Sequence, residues 1–86
     1  MLMLSEDRRD RDGVPAPTSH VPLPYLRAWR IHRLMTLRGL AEKADVGFTT
    51  VARVERGYAA SAITAVKLAR ALEVTLRDLK EVEPQD

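Results

Sequence analysis

Apolar residues recur at helical spacing along most of the chain, and short polar breaks interrupt them. The clearest segment runs from Leu37 to Ala44, where apolar positions follow the i, i+3, i+4, i+7 pattern of one buried helix face. The breaks divide the chain into five predicted helices, over about residues 25–34, 36–44, 48–56, 61–72 and from 75 onward. Short helices with such brief connections predict an all-α five-helix bundle with no sheet.

Residues with known capping preferences stand at the predicted breaks. Thr36, Ser61 and Thr75 each precede a helical segment, where a side-chain oxygen can accept a hydrogen bond from a free backbone amide. Gly57 follows the third segment, at the position where a left-handed residue ends a helix. The turn 45–47 separates the second and third helices, since Asp tolerates a left-handed conformation and Gly can cap a helix.

Proline marks a boundary near residue 24. Four of the five prolines lie within residues 1–24, which also contain the polar run Ser5–Gly13. Such a segment buries too little apolar area to offset the entropy of ordering it. We therefore predict a mobile, Pro-rich N-terminal arm over residues 1–24, a helical domain over residues 25–83 and a short tail over residues 84–86.

Positive charge is concentrated in the centre of the chain. The whole chain carries a formal charge of only +2, but residues 25–57 contain seven basic and three acidic residues. A local excess of this kind is typical of a surface that binds a polyanion, although a solvated charged face has the same composition.

Composition disfavours several other classes of protein. The chain has no cysteine and two histidines, His20 and His32, which argues against disulfides, thiolate chemistry and a zinc site, and fits a cytoplasmic location. No apolar run approaches the roughly 20 residues of a membrane span. No paired carboxylates, phosphate loop or activated nucleophile are present, so we expect no enzyme and no cofactor.

Three segments, at residues 40–46, 51–57 and 68–76, carry a family resemblance. Their most specific features are the small Ala41, the Glu-Arg-Gly sequence at 55–57 and the Leu-Ala-x-Ala-Leu run at 68–72. Over about residues 25–80 the chain resembles the phage-repressor/Cro-type (XRE) helix-turn-helix family. The resemblance implies a lambda-repressor-like fold of five helices and a transcriptional regulator, in this case a repressor, that binds double-stranded DNA.

The resemblance also implies roles for individual residues. Arg30 and Glu55 would form an ion pair that holds the third helix against the first. Residues 48–56 would form the recognition helix in the major groove. Arg53 is the best candidate for reading a guanine, because a guanidinium can form a bidentate pair with its O6 and N7 atoms. The full set of predicted DNA-binding residues is Thr36, Arg38, Phe48, Thr49, Thr50, Arg53 and Arg56.

The family pattern leaves two of these roles open. Phe48 can press on thymine methyl groups or can be a packing residue, and Arg38 and Lys43 can contact the DNA backbone or remain solvated. Leu37 stands where many family members have a glutamine that binds a phosphate, so that contact is missing or replaced.

We expect the protein to act as a symmetric homodimer. Ile63 and Val66 lie off the inward face of the fourth helix, and Tyr58 and Val82 can extend such a patch. Ile63 and Val66 can instead cover the loop after Gly57 or the start of the N-terminal arm. The alternative function is a protein-interaction module or an antitoxin-type regulator that uses the same bundle to bind a partner protein.

Overall fold

The computed structural model describes residues 20–85, which contain five helices and one short strand pair. The predicted tail residue 86 and residues 1–19 of the predicted arm lie outside the described residues. In chain order the elements are β1 (His20–Val21), α1 (Leu26–His32), α2 (Leu37–Ala44), α3 (Phe48–Glu55), β2 (Ala60–Ser61), α4 (Ala62–Leu72) and α5 (Leu76–Glu81). The prediction of a five-helix bundle is confirmed.

Capping side chains explain where the helices begin. The hydroxyl oxygens of Thr36 and Ser61 accept hydrogen bonds from the amides of Gly39 and Thr64, which start α2 and α4. Thr75 forms a complete capping box with Asp78 at the start of α5. Each cap satisfies amides that the helix itself leaves without a partner, so these boundaries follow from local sequence.

The core lies where all five helices meet. Its largest fully buried side chains come from every helix: Leu26, Leu40, Val51, Leu68, Leu72 and Leu79. Small buried residues, among them Ala41 of α2 and Ala65 of α4, let the backbones of neighbouring helices approach closely. The core therefore holds α2 and α3 in a fixed relation to each other.

Two local features differ from the prediction. The first helix ends at His32, because Leu34 adopts a left-handed backbone (φ 60°) and is 93% exposed. The expectation of no sheet is wrong, since β1 and β2 pair antiparallel with His20 opposite Ser61 and Val21 opposite Ala60.

The end of the predicted arm also packs on the bundle. Leu23 is 4% exposed and belongs to the core, although it falls within the segment predicted to be mobile. The amide of Tyr25 donates a hydrogen bond to the carbonyl of Leu79 in α5. Residues 20–24 are thus part of the folded unit, because β2 pairs with β1 and the core accepts Leu23 from outside the helical region.

Candidate nucleic-acid interface

A tight turn sets the angle between α2 and α3. Asp45 ends α2 in the left-handed conformation (φ 59°), and Gly47 occupies the extended position before Phe48. The amide of Val46 donates a hydrogen bond back to the carbonyl of Ala41, which closes the turn. Val46 is half-buried against the core, so the turn is held by packing as well as by hydrogen bonds.

The burial of α3 on one side leaves its opposite side in solvent. Val51 and Val54 are buried, whereas Thr49, Thr50 and Arg53 are exposed. Ala52, which was predicted to lie outward, is half-buried. Together with residues at the start of α2 and the end of α3, this exposed side forms what we call the α2–α3 face: Thr36, Arg38, Phe48, Thr49, Thr50, Arg53 and Arg56.

An ion pair fixes α3 against α1. The Nε of Arg30 donates to Oε2 of Glu55 at 2.6 Å, and its Nη2 donates to Oε1 at 3.1 Å, which is the bidentate geometry. The same guanidinium donates to the carbonyl of Met35 at 2.8 Å. The two side chains are only 14% and 9% exposed. The pair that the family resemblance implies is therefore formed, and it joins α1 to the last residue of α3.

The charge on Arg30 is stabilised by this arrangement. The hydrogen bond with Glu55 raises the pKa of Arg30 above its ordinary value, with partial burial opposing and the negative charge of Glu55 reinforcing the change. A raised pKa means that the stabilisation is fully present below the ordinary arginine range and is lost only as pH rises through the raised value. Arg30 therefore remains charged throughout the acidic and neutral range.

The start of α2 carries a hydroxyl and a guanidinium side by side. Thr36 Oγ1 accepts from the Gly39 amide at 2.9 Å, which leaves the hydroxyl proton available to donate outward. The guanidinium of Arg38 lies 4.9 Å from the centre of the Phe48 ring, within cation–π range. Arg38 and Phe48 were predicted to lie on different helices, and no contact between them was predicted, because only the angle of the turn brings them together.

The end of α3 brings a second arginine against an aromatic ring. The guanidinium of Arg53 lies 5.9 Å from the centre of the Tyr58 ring. Tyr58 was predicted only as an extension of a dimer patch, and the residue is 63% exposed. The signal that could have indicated this contact is Gly57, whose cap motif returns the chain toward the last turn of the helix.

The arginines of the α2–α3 face are not paired with any carboxylate in the part of the chain that the structure describes. Within residues 20–85, no carboxylate forms an ion pair with Arg38, Arg53 or Arg56. Lys43, the other suggested backbone contact, lies 4.0 Å from a carboxylate oxygen of Glu73 at the end of α4. The face consequently presents positive charge that no described side chain neutralises.

The residues suggested for a dimer interface are exposed. Ile63 and Val66 of α4 are 64% and 39% exposed, and Val82 is 37% exposed. The carbonyl of Val82 accepts a hydrogen bond from the Trp29 indole at 2.8 Å, which ties the segment after α5 to α1.

Comparison with known proteins supports the family assignment. A family model described as helix-turn-helix, HTH_3, matches residues 26–79. No curated protein and no solved structure matches the chain. Across residues 20–85 there is no helix with the length and apolarity that a membrane span requires. The match covers more than half of the chain, from the start of α1 into α5, and the protein therefore belongs to the XRE/Cro-type helix-turn-helix family of DNA-binding transcription regulators.

Proposed function

We propose that this protein is a sequence-specific repressor of transcription that binds double-stranded DNA with α3 in the major groove. The observation that carries the proposal is the α2–α3 face, on which three arginines are exposed without a carboxylate partner among residues 20–85. A helix flanked by exposed cations fits a groove between two rows of phosphates, because the exposed charges replace condensed counterions. This is the electrostatic arrangement that major-groove binding requires.

Side chains on α3 are suited to distinguish bases. Arg53 is exposed on the outer side of the helix and can donate two parallel hydrogen bonds to a guanine. Thr49 and Thr50 are exposed one turn earlier, where a hydroxyl can bond a base edge and a methyl group can pack on thymine. The Phe48 ring is 42% exposed and already carries Arg38, so we assign it a contact with both the arginine and the DNA surface.

Groups at the two ends of the face are suited to contact phosphates. Thr36 and the free amides at the start of α2 offer donors at the positive end of a helix dipole. Arg38 extends from the same helix end, and Arg56 lies at the C-cap of α3. These contacts would fix the register of α3 without depending on sequence.

A single α3 makes few base contacts, so we propose that two copies bind a two-fold symmetric site. Two-fold pairing would place the recognition helices about 34–36 Å apart, one turn of the duplex. The exposed Ile63 and Val66 of α4 are the candidate interface. Because both project from one helix, an isologous contact would bury them against the same residues of a second copy.

Selection of bound duplexes from a random DNA library, followed by a salt titration, tests the proposal. We expect enrichment of a palindromic sequence and a linear fall of log K with log salt, with a slope of several units. Binding that selects no sequence would contradict specific recognition. Weak binding with little salt dependence would favour the alternative, a protein-interaction module or antitoxin-type regulator, because apolar docking releases few counterions.

The dimer is tested separately with Val66→Glu, followed by sedimentation with and without the selected duplex. We expect the variant to stay folded, to sediment as a monomer and to lose cooperative binding of two half-sites. Lys67→Gln is the matched control, since it changes the charge by the same amount on a neighbouring exposed position. Cooperative binding by the Val66→Glu variant would place the interface elsewhere.

Repression is tested by transcription in vitro from a promoter that overlaps the selected sequence. We expect added protein to reduce the transcript in proportion to occupancy of the site, and a promoter with a scrambled site to be unaffected. An increase in transcript would instead show that the protein is an activator.

A further inference from the structure

Three of the four aromatic side chains in this protein lie against an arginine. Trp29 is half-buried and donates hydrogen bonds to two backbone carbonyls, so it has a packing role independent of its arginine. Tyr58 is different, because the residue is 63% exposed and its ring lies against Arg53 within residues 20–85. Tyr58 therefore places an exposed aromatic side chain against Arg53, which is the best candidate for reading a base.

The backbone after α3 accounts for how Tyr58 reaches Arg53. Gly57 adopts φ 112°, and its amide donates to the Val54 carbonyl at 3.0 Å. The amide of Tyr58 donates to the carbonyl of Arg53 itself at 3.1 Å. This pair of bonds is the Schellman motif, which places the second residue after the cap beside the helix residue five positions earlier. The motif therefore fixes the Tyr58 backbone next to Arg53, and the ring covers the guanidinium from there.

We infer that Tyr58 is a positioning residue for Arg53, and that its ring holds the guanidinium outward on the α2–α3 face before DNA arrives. A free arginine side chain samples many rotamers and loses that freedom on binding. A ring that restricts those rotamers in the free protein reduces the loss, so more of the hydrogen-bond energy appears as affinity. The inference rests on the proposed function, because it assumes that Arg53 reads a base.

The inference makes the effect of Tyr58 depend on Arg53. For an exposed cation–π contact we expect removal of the ring to weaken binding about two- to fivefold on the selected duplex. The loss should be smaller on a duplex changed at the base pair that Arg53 reads. A tyrosine that contacted DNA by its own hydroxyl, or that served only a dimer patch, would not show this dependence.

The test is a double-mutant cycle on DNA affinity with Tyr58→Leu, Arg53→Ala and both changes together. We expect the double variant to bind as Arg53→Ala does, since the ring has nothing left to position. Tyr58→Phe keeps the ring and is the matched control, so it should bind like the unmodified protein. Additive losses, or a Tyr58→Phe variant as weak as Tyr58→Leu, would overturn the inference.

A second measurement needs no DNA. In the free protein, the ring current of Tyr58 should shift the Cδ protons of Arg53 upfield in the NMR spectrum. We expect this shift to be retained in Tyr58→Phe and lost in Tyr58→Leu, with the helical circular dichroism unchanged in both. No upfield shift in the unmodified protein would overturn the inference.

The two measurements separate failure of the inference from failure of the proposed function. If the unmodified protein selects no DNA sequence, the proposed function fails and the positioning role fails with it. If it selects a sequence but the losses are additive, the role of Tyr58 is wrong, and base recognition by Arg53 is judged by the effect of Arg53→Ala alone.

Discussion

Arg30 in α1 and Arg33 directly after it differ from the arginines of the α2–α3 face in what their guanidinium groups contact. Arg30 forms two hydrogen bonds with Glu55 and a third with the carbonyl of Met35. Arg33 donates to the carbonyl of Leu72 at 2.9 Å and lies over the Trp29 ring. Both side chains therefore connect the first helix and its C-cap to other parts of the bundle, and each donates at least one hydrogen bond to an acceptor within the fold.

The guanidinium groups of Arg38 and Arg53 have only an aromatic ring as a partner among residues 20–85, and Arg56 has no acidic partner there. A ring interacts with the face of a guanidinium and leaves its N–H groups free to donate in the plane. The count of basic residues in a segment therefore does not locate a polyanion surface. The hydrogen-bond acceptors within the fold decide which guanidinium groups remain available to bind a polyanion.

The largest expected effect is a loss of stability in the Arg30→Ala variant. The change leaves the poorly solvated carboxylate of Glu55 without its partner, and we expect the free energy of unfolding to fall by about 3–5 kcal/mol. Urea unfolding followed by circular dichroism measures it. Arg27→Ala is the matched control on the same helix, and it should change stability by less than about 0.5 kcal/mol because Arg27 is exposed. Equal free energies of unfolding for the two variants would show that the Arg30–Glu55 pair does not stabilise the fold.

Arg53→Ala is expected to weaken recognition of the DNA sequence. We predict that specific binding weakens by about 1–3 kcal/mol and that preference relaxes at one base pair in each half-site, with unfolding unchanged. Affinities for the selected duplex and for duplexes varied at single positions give the measurement. A uniform loss on every duplex would make Arg53 a phosphate contact.

Arg38→Ala and Arg56→Ala should weaken binding to all duplexes alike. Each is expected to lower the slope of log K against log salt by about one unit, because one fewer counterion is released. Salt titrations on the selected and on an unrelated duplex provide the check. If neither slope changes, the DNA surface lies on another face of the bundle.

The smallest effect is expected for Arg77→Ala on α5. Arg77 pairs with Glu81 one turn away at 3.4 Å, and the two side chains are 80% and 60% exposed. Such a pair contributes about 0.5 kcal/mol or less. Both stability and the salt slope should match those of the unmodified protein, which controls for the loss of one positive charge outside the α2–α3 face. A reduced slope would extend the binding surface to α5.

Local sequence predicted most of the helical boundaries. Thr36, Ser61 and Thr75 cap the helices that they were expected to start, and Asp45 and Gly57 adopt the left-handed conformations expected of them. Capping depends on groups within about four residues, so a short window of sequence contains the needed information. The end of α1 was predicted two residues too late, because an apolar Leu34 continued the pattern without being buried.

The candidate site was predictable in its members but not in its pairings. The helical pattern of α3 separates buried Val51 and Val54 from exposed Thr49 and Arg53 without reference to any other part of the chain. The contacts of Arg38 with Phe48 and of Arg53 with Tyr58 depend on the geometry of a turn and of a cap. Several rotamers of an exposed arginine are close in energy, so its contact is decided by which surface lies within reach.

The sequence by itself determined the helical fold, the family and which side chains of α3 are exposed, because periodicity, caps and family motifs depend on residues that lie close together in the chain. Tertiary structure alone decided that β1 pairs with β2, that Leu23 enters the core and that Arg33 is bound by the Leu72 carbonyl. Each of these contacts joins residues far apart in the chain, where no local pattern distinguishes one acceptor or apolar surface from another. Packing of the five helices brings the partners together, and that packing determines which arginines remain available on the α2–α3 face.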